Sequence, residues 1–400
     1  VVAYADNREL RAELYRAYTT RASELGANPA WDNTETMRDI LRLRQEEAEL
    51  LGFANYAEVS LAMKMADTTE EVVEFLEDLA KRSRPFAESE FREVQAFAKD
   101  NFGMADVQAW DVTYLSEKMK EARFDFTDED LKPYFPVGKV IQGLFSLVER
   151  LYSVRIQQSK HVDVWHPEVT FYQVFDADGS LRAEFYLDLY ARQHKRGGAW
   201  MSDYCGRFQR KGGLQIPVAF MTCNGTPPVG DKPALFTHDE VVTLFHEFGH
   251  GLHHMLTKVD YPDIAGINGV EWDAVELPSQ FMENWCWEPE VLNMISGHWQ
   301  TDEPLPAELF HKMQAARHFQ TAMMMVRQLE FALFDMRLHM DPKAAEPGHL
   351  EQIQAEVRNA IAVVKPPVFN RMAHSFSHVF AGGYAAGYYS YKWAEVLSAD

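Results

Sequence analysis

The sequence is poor in cysteine and contains no long apolar run. Only three cysteines occur in 400 residues, Cys205, Cys223 and Cys286, and no two of them have the spacing of a metal-binding pair. A sparse, odd set argues against a disulfide framework and favours free thiols in a reducing compartment. No stretch of about 18 apolar residues is present to span a membrane, and no signal-peptide pattern opens the chain. We therefore expect a cytoplasmic protein that does not bind membranes.

Positive charge is also scarce. The chain has 39 Lys and Arg against 60 Asp and Glu, which gives a formal net charge of −21. This balance argues against nucleic acid as a partner, because the phosphate backbone requires clustered Lys and Arg. Hydrophobic content of 46% over 400 residues is enough for a sizeable core in two lobes. The chain begins at Val1 without methionine and stops at Asp400 inside a predicted helix, so we expect a fragment of a longer protein.

The spacing of apolar residues predicts two parts. Residues 1–154 show helical spacing, with helices at 7–25 and from Asn33 to Gly52 and a third starting at Thr68. Residues 155–400 form the second part. It begins with the alternating spacing of strands, which predicts a hairpin of residues 170–175 and 182–190 and a further strand at 217–224. Helical spacing then returns and predicts helices at 307–340 and 348–364. The edge of this sheet either pairs with an extended peptide substrate or is purely structural.

The most informative stretch is a predicted helix that starts after Thr237. Thr237 and Glu240 have the spacing of a capping box, and apolar residues then recur at helical intervals. His246 and His250 are four residues apart, so a helix places both imidazoles on one face, where they can bind one metal ion. Glu247 is next to His246 and close enough to act on a water at that ion. Imidazole ligands suit zinc, which makes a bound water much more acidic.

A catalytic zinc site needs a third protein ligand and an open position for water. Glu276 follows His246 by 30 residues, far enough for a second helix to turn back alongside the first. Asp273 and Ser279 flank Glu276 at three residues on either side, where they can orient a metal ligand. Spacing alone leaves alternative third ligands open, and these are His254, Glu271 and Glu283.

A second group of polar aromatic residues lies near the end of the chain. Tyr384, Tyr388 and Tyr391 have the spacing of one helix face, and His378 precedes them. Tyrosine hydroxyls and imidazole N–H groups can stabilise the oxyanion that forms during peptide hydrolysis. The glycine pair 382–383 permits a mobile loop in front of them. The alternative, an aromatic stripe packed in the core, is slightly favoured when only the spacing is considered.

Taken together, these motifs resemble the thimet oligopeptidase family of zinc metallopeptidases. The resemblance extends over essentially the whole chain. It rests on long gapped motifs that agree in order and spacing, namely 245–250, 269–279, 380–391, 185–200 and 234–241.

The resemblance implies a mainly α, zincin-like fold with two helical lobes around a deep channel and a small β-sheet near the active site. It implies a zinc-dependent oligopeptidase that hydrolyses internal bonds of short, unstructured peptides, acting as a monomer. The family's functional positions correspond to residues in three roles. One Zn²⁺ per chain is bound by His246, His250 and Glu276; Glu247, His378, Tyr384 and Tyr391 are catalytic; Tyr388, Gly382 and Gly383 bind substrate. Family members are longer, so an N-terminal part of the channel wall and the C-terminal end look absent.

Three other functions are compatible with some of these sequence motifs. A dipeptidyl carboxypeptidase of the same family would use the same chemistry at the C-terminus of a peptide. A non-catalytic peptide-binding scaffold is disfavoured because it has no use for Glu247 beside the metal. A purely structural zinc site is disfavoured because only three ligands align, whereas a closed site uses four.

Overall fold

The structure is a computed structural model that describes residues 1–399. Its helices in chain order are α1 (Arg8–Thr19), α2 (Thr34–Leu51), α3 (Tyr56–Leu61), α4 (Thr69–Phe102), α5 (Ala109–Phe124), α6 (Asp128–Leu131), α7 (Val137–Tyr152), α8 (His238–Met255), α9 (Leu277–Trp285), α10 (Pro289–Ile295), α11 (Ala307–Ala316), α12 (Thr321–Met340), α13 (His349–Ile361), α14 (Ser377–Phe380) and α15 (Ser390–Ala399). Its strands are β1 (Arg155–Ser159), β2 (Thr170–Phe175), β3 (Leu181–Tyr190), β4 (Trp200–Cys205), β5 (Phe208–Arg210), β6 (Gly213–Gln215) and β7 (Val218–Gly225).

The chain divides into two compact units. Unit 1 comprises Val1–Asp125 and Ala315–Tyr391, and unit 2 comprises Phe126–Gln314 and Lys392–Asp400. The division predicted from the sequence, between residues 154 and 155, rests on the change from helical to strand spacing and stays a prediction.

The regular elements among the described residues of unit 1 are all helices. Helices α4 and α12 pack along one another and place Val72 and Leu76 of α4 and Leu329 and Leu333 of α12 in the core. Helix α4 begins at the N-cap Thr68, whose side chain accepts a hydrogen bond from the backbone N–H of Glu71. The core also contains charged side chains from α12, which bear on the aromatic residues discussed below.

Unit 2 contains a five-stranded mixed sheet in the order β1-β2-β3-β7-β4. Strands β3 and β7 are parallel, and the other neighbours are antiparallel. Helix α8 lies against β7, β4 and β3 on one side and against α9 on the other. Phe248 of α8 packs edge-on to Phe185 of β3, with ring centroids 5.5 Å apart. The apolar face of α8 is therefore fixed against the sheet, which leaves its histidine face toward α9.

The mainly α class with a small sheet beside the histidine helix is confirmed. The predicted hairpin forms from β2 and β3, the predicted strand at 217–224 is β7, and α2 ends at Gly52 in the left-handed conformation. The single helix predicted for 307–340 is wrong. The chain breaks between α11 and α12, where Gln320 has a φ of 55° that a helix interior does not allow. The helix predicted for 7–25 is shorter and ends at Thr19.

Candidate metal centre

Helix α8 begins with the capping box that the sequence predicts. The Thr237 side chain accepts a hydrogen bond from the backbone N–H of Glu240, and the Glu240 carboxylate accepts one from the backbone N–H of Thr237 at 2.8 Å. These two bonds satisfy N–H groups that a helix start otherwise leaves without partners. The apolar face of the helix is buried and consists of Val241, Leu244, Phe245, Phe248, Leu252 and Met255.

Two histidines of α8 meet a carboxylate at the start of α9. The Nε2 atoms of His246 and His250 each lie 3.1 Å from Oε2 of Glu276, which is the N-cap residue of α9. The ligand atoms of these three residues all lie within 4.8 Å of one another. Among the described residues, 1–399, this is the one group of three or more His, Cys, Asp or Glu side chains close enough to bind a single metal ion.

The donor set fits a zinc ion. Two imidazole nitrogens and one carboxylate oxygen are the ligands of a catalytic zinc site, and ligand atoms around a tetrahedral zinc ion lie about 3.4 Å apart. The 3.1 Å separations to Glu276 are close to that value. Three protein ligands also leave one position of a tetrahedral site for water or substrate.

The two helices approach unusually closely at Gly249. A Cβ atom at this position would lie 2.5 Å from the carbonyl oxygen of Pro278 and 2.6 Å from the Cα of Ser279. Both contacts are with backbone, which cannot rotate away. The absence of a side chain at Gly249 therefore lets α8 and α9 bring the imidazoles and the Glu276 carboxylate together.

Side chains behind the three donors fix their orientation. Glu283 Oε1 lies 2.6 Å from Nδ1 of His246, so that nitrogen can donate to the carboxylate while Nε2 faces Glu276. Ser279 Oγ donates to Oε2 of Glu276 at 3.0 Å. Asp273 is fully buried in the turn that precedes Glu276. The predicted roles of Asp273 and Ser279 in orienting a bound metal stay predictions.

The structure separates the third-ligand candidates that spacing left open. Glu276 lies in the three-donor group, whereas Glu283 contacts the opposite nitrogen of His246. His254 Nε2 lies 3.1 Å from the carbonyl oxygen of Cys205, and neither His254 nor Glu271 belongs to the group. Sequence reasoning missed Glu283 as an orienting residue. The available signal was its position seven residues, or two helical turns, after Glu276.

Charge and burial perturb the acid–base properties of this group. Burial by itself lowers the pKa of His246, but hydrogen bonds to Glu276 and Glu283 raise it to about 10. Burial acts in the opposite direction on Glu276, yet its two histidine partners hold the pKa of this carboxyl well below its usual range. These shifts indicate that a positive charge beside the Glu276 carboxylate is favourable, and a bound metal ion would provide such a charge.

Glu247, which is not one of the three donors, differs from Glu276 in the direction of its pKa shift. Its side chain is 6% exposed, and burial raises its pKa, although the two histidines and the backbone N–H of Met201 act against that shift. A carboxylate with a raised pKa is a better proton acceptor near neutral pH. Met201 belongs to β4, an edge strand of the sheet.

The predicted aromatic residues form a cluster in unit 1. The rings of Tyr384 and Tyr391 are stacked, with centroids 5.2 Å apart. The ring of His378 lies 5.8 Å from that of Tyr384 and 6.3 Å from that of Tyr391. His378 is exposed, and the two tyrosines are half-buried. Tyr388 is more buried, and its hydroxyl donates to Oε1 of Gln328 at 3.0 Å.

The expectation that one helix face presents all three tyrosines is wrong. Helix α15 begins at Ser390, so Tyr384 and Tyr388 lie in the turns before it. The two glycines have conformational reasons for their positions. A Cβ at Gly382 would lie 2.9 Å from the Cα of His378, and Gly383 has a φ of +83°. Their predicted contact with substrate stays a prediction.

Comparison with known proteins identifies the family. The family described as Peptidase family M3 matches residues 1–400, which is the whole chain. The chain belongs to peptidase family M3. This M3 chain is 56% identical over 402 residues to oligopeptidase A of Salmonella typhimurium and 54% identical to oligopeptidase A of Haemophilus influenzae. Both alignments cover 100% of this chain and 59% of the relative, so the chain spans about three fifths of their length.

More distant relatives are also similar over nearly the whole chain. The dipeptidyl carboxypeptidase of Escherichia coli is 34% identical over 398 residues, which cover 98% of this chain and 57% of that protein. The solved structure of PZ peptidase A with inhibitor 2 matches with a TM-score of 0.61 at 16% identity, over 99% of this chain and 59% of that one. At that identity the structural match shows a shared fold. Within residues 1–399, no helix combines the length and apolar character needed to cross a bilayer.

Proposed function

We propose that this M3 chain is a zinc-dependent oligopeptidase that hydrolyses internal bonds of short, unstructured peptides. The observation that carries the proposal is the group of His246, His250 and Glu276 with the buried carboxylate of Glu247 on the same helix. Identity of 56% to an oligopeptidase A, against 34% to a dipeptidyl carboxypeptidase, supports cleavage of internal bonds. The proposal also includes a monomer located in the cytoplasm, as the sequence led us to expect.

His246, His250 and Glu276 would hold one zinc ion per chain. When bound, zinc supplies a Lewis acid that polarises the scissile carbonyl and lowers the pKa of an attacking water. Glu283 keeps the His246 ring in place by accepting the Nδ1 proton, and Ser279 holds the Glu276 carboxylate.

Glu247 acts as the general base and then as the general acid. Its carboxylate takes a proton from the attacking water, holds it while the carbonyl carbon becomes tetrahedral, and passes it to the leaving amine. Burial supports both steps, because a raised pKa makes the carboxylate a better acceptor and allows it to hold the proton long enough to return it.

His378, Tyr384 and Tyr391 stabilise the oxyanion by donating hydrogen bonds, and removal of one such donor costs about 10²–10³-fold in rate. Tyr388 is a weaker candidate for a substrate contact, since its hydroxyl already donates a hydrogen bond to Gln328. Gly382 and Gly383 complete the substrate-binding residues of this proposal.

Zinc content and peptide cleavage, measured on the same sample, test the proposal. We expect about one zinc per chain, cleavage of an internally quenched peptide of about ten residues, loss of cleavage with a chelator and recovery when zinc is restored. A chain that holds zinc but cleaves no peptide would support the scaffold function instead.

The bond that is cleaved separates the two peptidase activities. An oligopeptidase cuts a decapeptide internally whether its C-terminus is free or amidated. A dipeptidyl carboxypeptidase releases a dipeptide from the free form and is impaired by amidation. Product masses from the two peptides decide between them.

A further inference from the structure

The turn that leads into the tyrosines of unit 1 is bound by a buried carboxylate. Asp335, in the C-terminal half of α12, is 0% exposed. Its Oδ1 accepts the backbone N–H of Ala386 at 2.9 Å, and its Oδ2 accepts those of Gly387 and Tyr388 at 2.9 Å each. Three backbone donors on one carboxylate fix the path of residues 386–388, because each bond to a charged acceptor is stronger than a neutral one.

The carbonyl groups of the same turn are bound by Ser60 of α3 and by Lys64, which follows that helix. Ser60 Oγ donates to the carbonyl oxygens of Ala385 at 2.8 Å and of Ala386 at 3.1 Å. Lys64 Nζ donates to the carbonyl of Ala386 at 3.1 Å. Ala386 has a φ of 46°, which is strained for a residue with a Cβ. The side chains of Ser60, Lys64 and Asp335 therefore hold the turn in a conformation that it would not adopt by itself.

Asp335 is linked through His339 to a second anchor point. Nδ1 of His339 lies 3.0 Å from Oδ1 of Asp335, and its Nε2 lies 2.9 Å from Nη1 of Arg44. Nδ1 also lies 2.8 Å from the backbone carbonyl oxygen of Asp335. Because a guanidinium only donates, Nε2 accepts, and Nδ1 carries the proton, which it donates to that carbonyl oxygen with the Asp335 carboxylate alongside. Arg44 also donates through Nη2 to the carbonyl oxygen of Val379 at 2.9 Å.

Asp335, His339 and Arg44, which we call the Asp335 network, bind residues 378–391 at two places. We call residues 378–391 the aromatic segment. Val379 directly follows His378, and residues 386–388 lie between Tyr384 and Tyr391. A buried carboxylate and a partly buried guanidinium are costly to desolvate unless they are fully hydrogen-bonded. Four of these hydrogen bonds are to the backbone of that segment, three accepted by Asp335 and one donated by Arg44. Asp335 and His339 are both buried in unit 1, and the His339 ring also lies 5.6 Å from the ring of Tyr56 between centroids.

We propose that Asp335, supported by His339 and Arg44, is a positioning residue for the hydrogen-bond donors His378, Tyr384 and Tyr391. This inference rests on the proposed function, in which these three side chains act on the substrate. A shift of about 1 Å in a reacting geometry costs about 10²-fold in rate. Loss of the network therefore lowers kcat and leaves the metal centre intact.

Asp335→Asn is the test variant, and Asp111→Asn is its matched control. Asp111 is also 0% exposed in unit 1 and accepts hydrogen bonds from two arginines and a backbone N–H, but it does not contact residues 377–391. We expect Asp335→Asn to lower kcat about 10²-fold with zinc content unchanged and KM altered less than kcat. Asp111→Asn is expected to lower thermal stability and to leave kcat near the wild-type value.

A double-substitution cycle with Tyr384→Phe distinguishes positioning from general damage. If Asp335 acts by placing Tyr384, the two losses in kcat are not additive, and the double variant is little slower than the worse single variant. Losses that multiply would overturn the inference, and so would equal losses of kcat in Asp335→Asn and Asp111→Asn. Should Asp335→Asn fail to fold, Arg44→Lys, which cannot bind His339 and Val379 together, must show the same pattern with a smaller loss.

Amide hydrogen exchange tests the network without any activity. The N–H groups of 386–388 must be protected in the wild-type chain and must exchange faster in Asp335→Asn, and unchanged exchange would overturn the inference. A wild-type chain with zinc and these protected amides but no peptide cleavage would contradict the proposed function and leave the network's structural part confirmed.

Discussion

The metal centre of unit 2 and the aromatic segment of unit 1 contain the two groups of side chains to which we assign chemistry, yet they are held in different ways. The metal centre uses two consecutive pieces of chain, α8 and the start of α9, with its three donors within 30 residues. The aromatic segment depends on Arg44, which is 335 residues from Val379, and on Asp335, which is 51–53 residues from the amides that it binds.

The difference shows what sequence spacing can and cannot predict. A capping box and a four-residue interval specify α8 locally, because both follow from helix geometry. Tyrosines at helical spacing predict a helix that the structure does not have, because buried charges elsewhere in the chain hold those residues in turns. Four experiments test the comparison, in order of decreasing expected effect.

Glu247→Gln should have the largest effect. The variant keeps the shape of the side chain but cannot accept a proton, so we expect kcat to fall by about 10²–10⁴-fold with zinc content unchanged. Steady-state kinetics and metal analysis on one sample measure both. Glu240→Gln, which preserves the capping box of the same helix, is the control and should stay near wild type. Substantial turnover by Glu247→Gln would remove Glu247 from its role as base.

Glu276→Ala and Glu283→Gln should rank the two carboxylates that contact His246. Removing Glu276 takes away a donor, so zinc affinity should fall further than the about 10–100-fold expected when an orienting partner such as Glu283 is changed. Competition with a chromophoric chelator gives both affinities. Equal affinities for the wild type and Glu276→Ala would exclude Glu276 as a ligand.

Asp188→Asn examines a buried carboxylate whose partners are close in sequence, in contrast to Asp335. Asp188 binds Arg192 and Lys195, and although burial opposes it, these bonds hold its pKa at about 2. Because the pKa of Asp188 is lower in the folded state than its value of 3.8 in the unfolded chain, its charge stabilises the fold at pH values above 3.8. That stabilisation is lost as the pH falls through about 2. We expect the variant to lose about 2 kcal/mol at pH 7.

The pH dependence provides the check on Asp188. Urea unfolding at pH 7 and near pH 2.5 should show the gap between wild type and variant closing at the lower pH. A gap of the same size at both values would mean that the charge of Asp188 is not what stabilises this part of unit 2.

Thr237→Ala should have the smallest effect, because it removes a single local cap from α8. Loss of an N-cap side chain costs about 1 kcal/mol. Thr243→Ala on the exposed face of the same helix is the control, since Thr243 bonds only the carbonyl of Asp239 one turn earlier. Thermal unfolding of the two variants side by side measures the difference. Equal melting temperatures would show that tertiary packing alone holds the start of α8.

The sequence therefore predicted the features whose cause is local. It predicted the mainly helical class, the hairpin of β2 and β3, the start of α8 and the position of His246 and His250 on one face of that helix. It could not choose Glu276 over Glu283 from spacing, because both lie on the segment that faces α8, and only the packed helices show which oxygen meets the imidazoles. It also could not reveal Asp335, whose helical neighbours give no sign that three distant amides converge on it.

The close approach at Gly249 has a consequence for any attempt to redesign this protein. The distance between α8 and α9 depends on the absence of a Cβ atom at Gly249, where backbone contacts backbone. No side chain at this contact can be changed to adjust the size of the metal site. A variant intended for a larger cation would have to shorten a ligand side chain, since spreading the helices would move Glu276 away from both histidines of α8 at once.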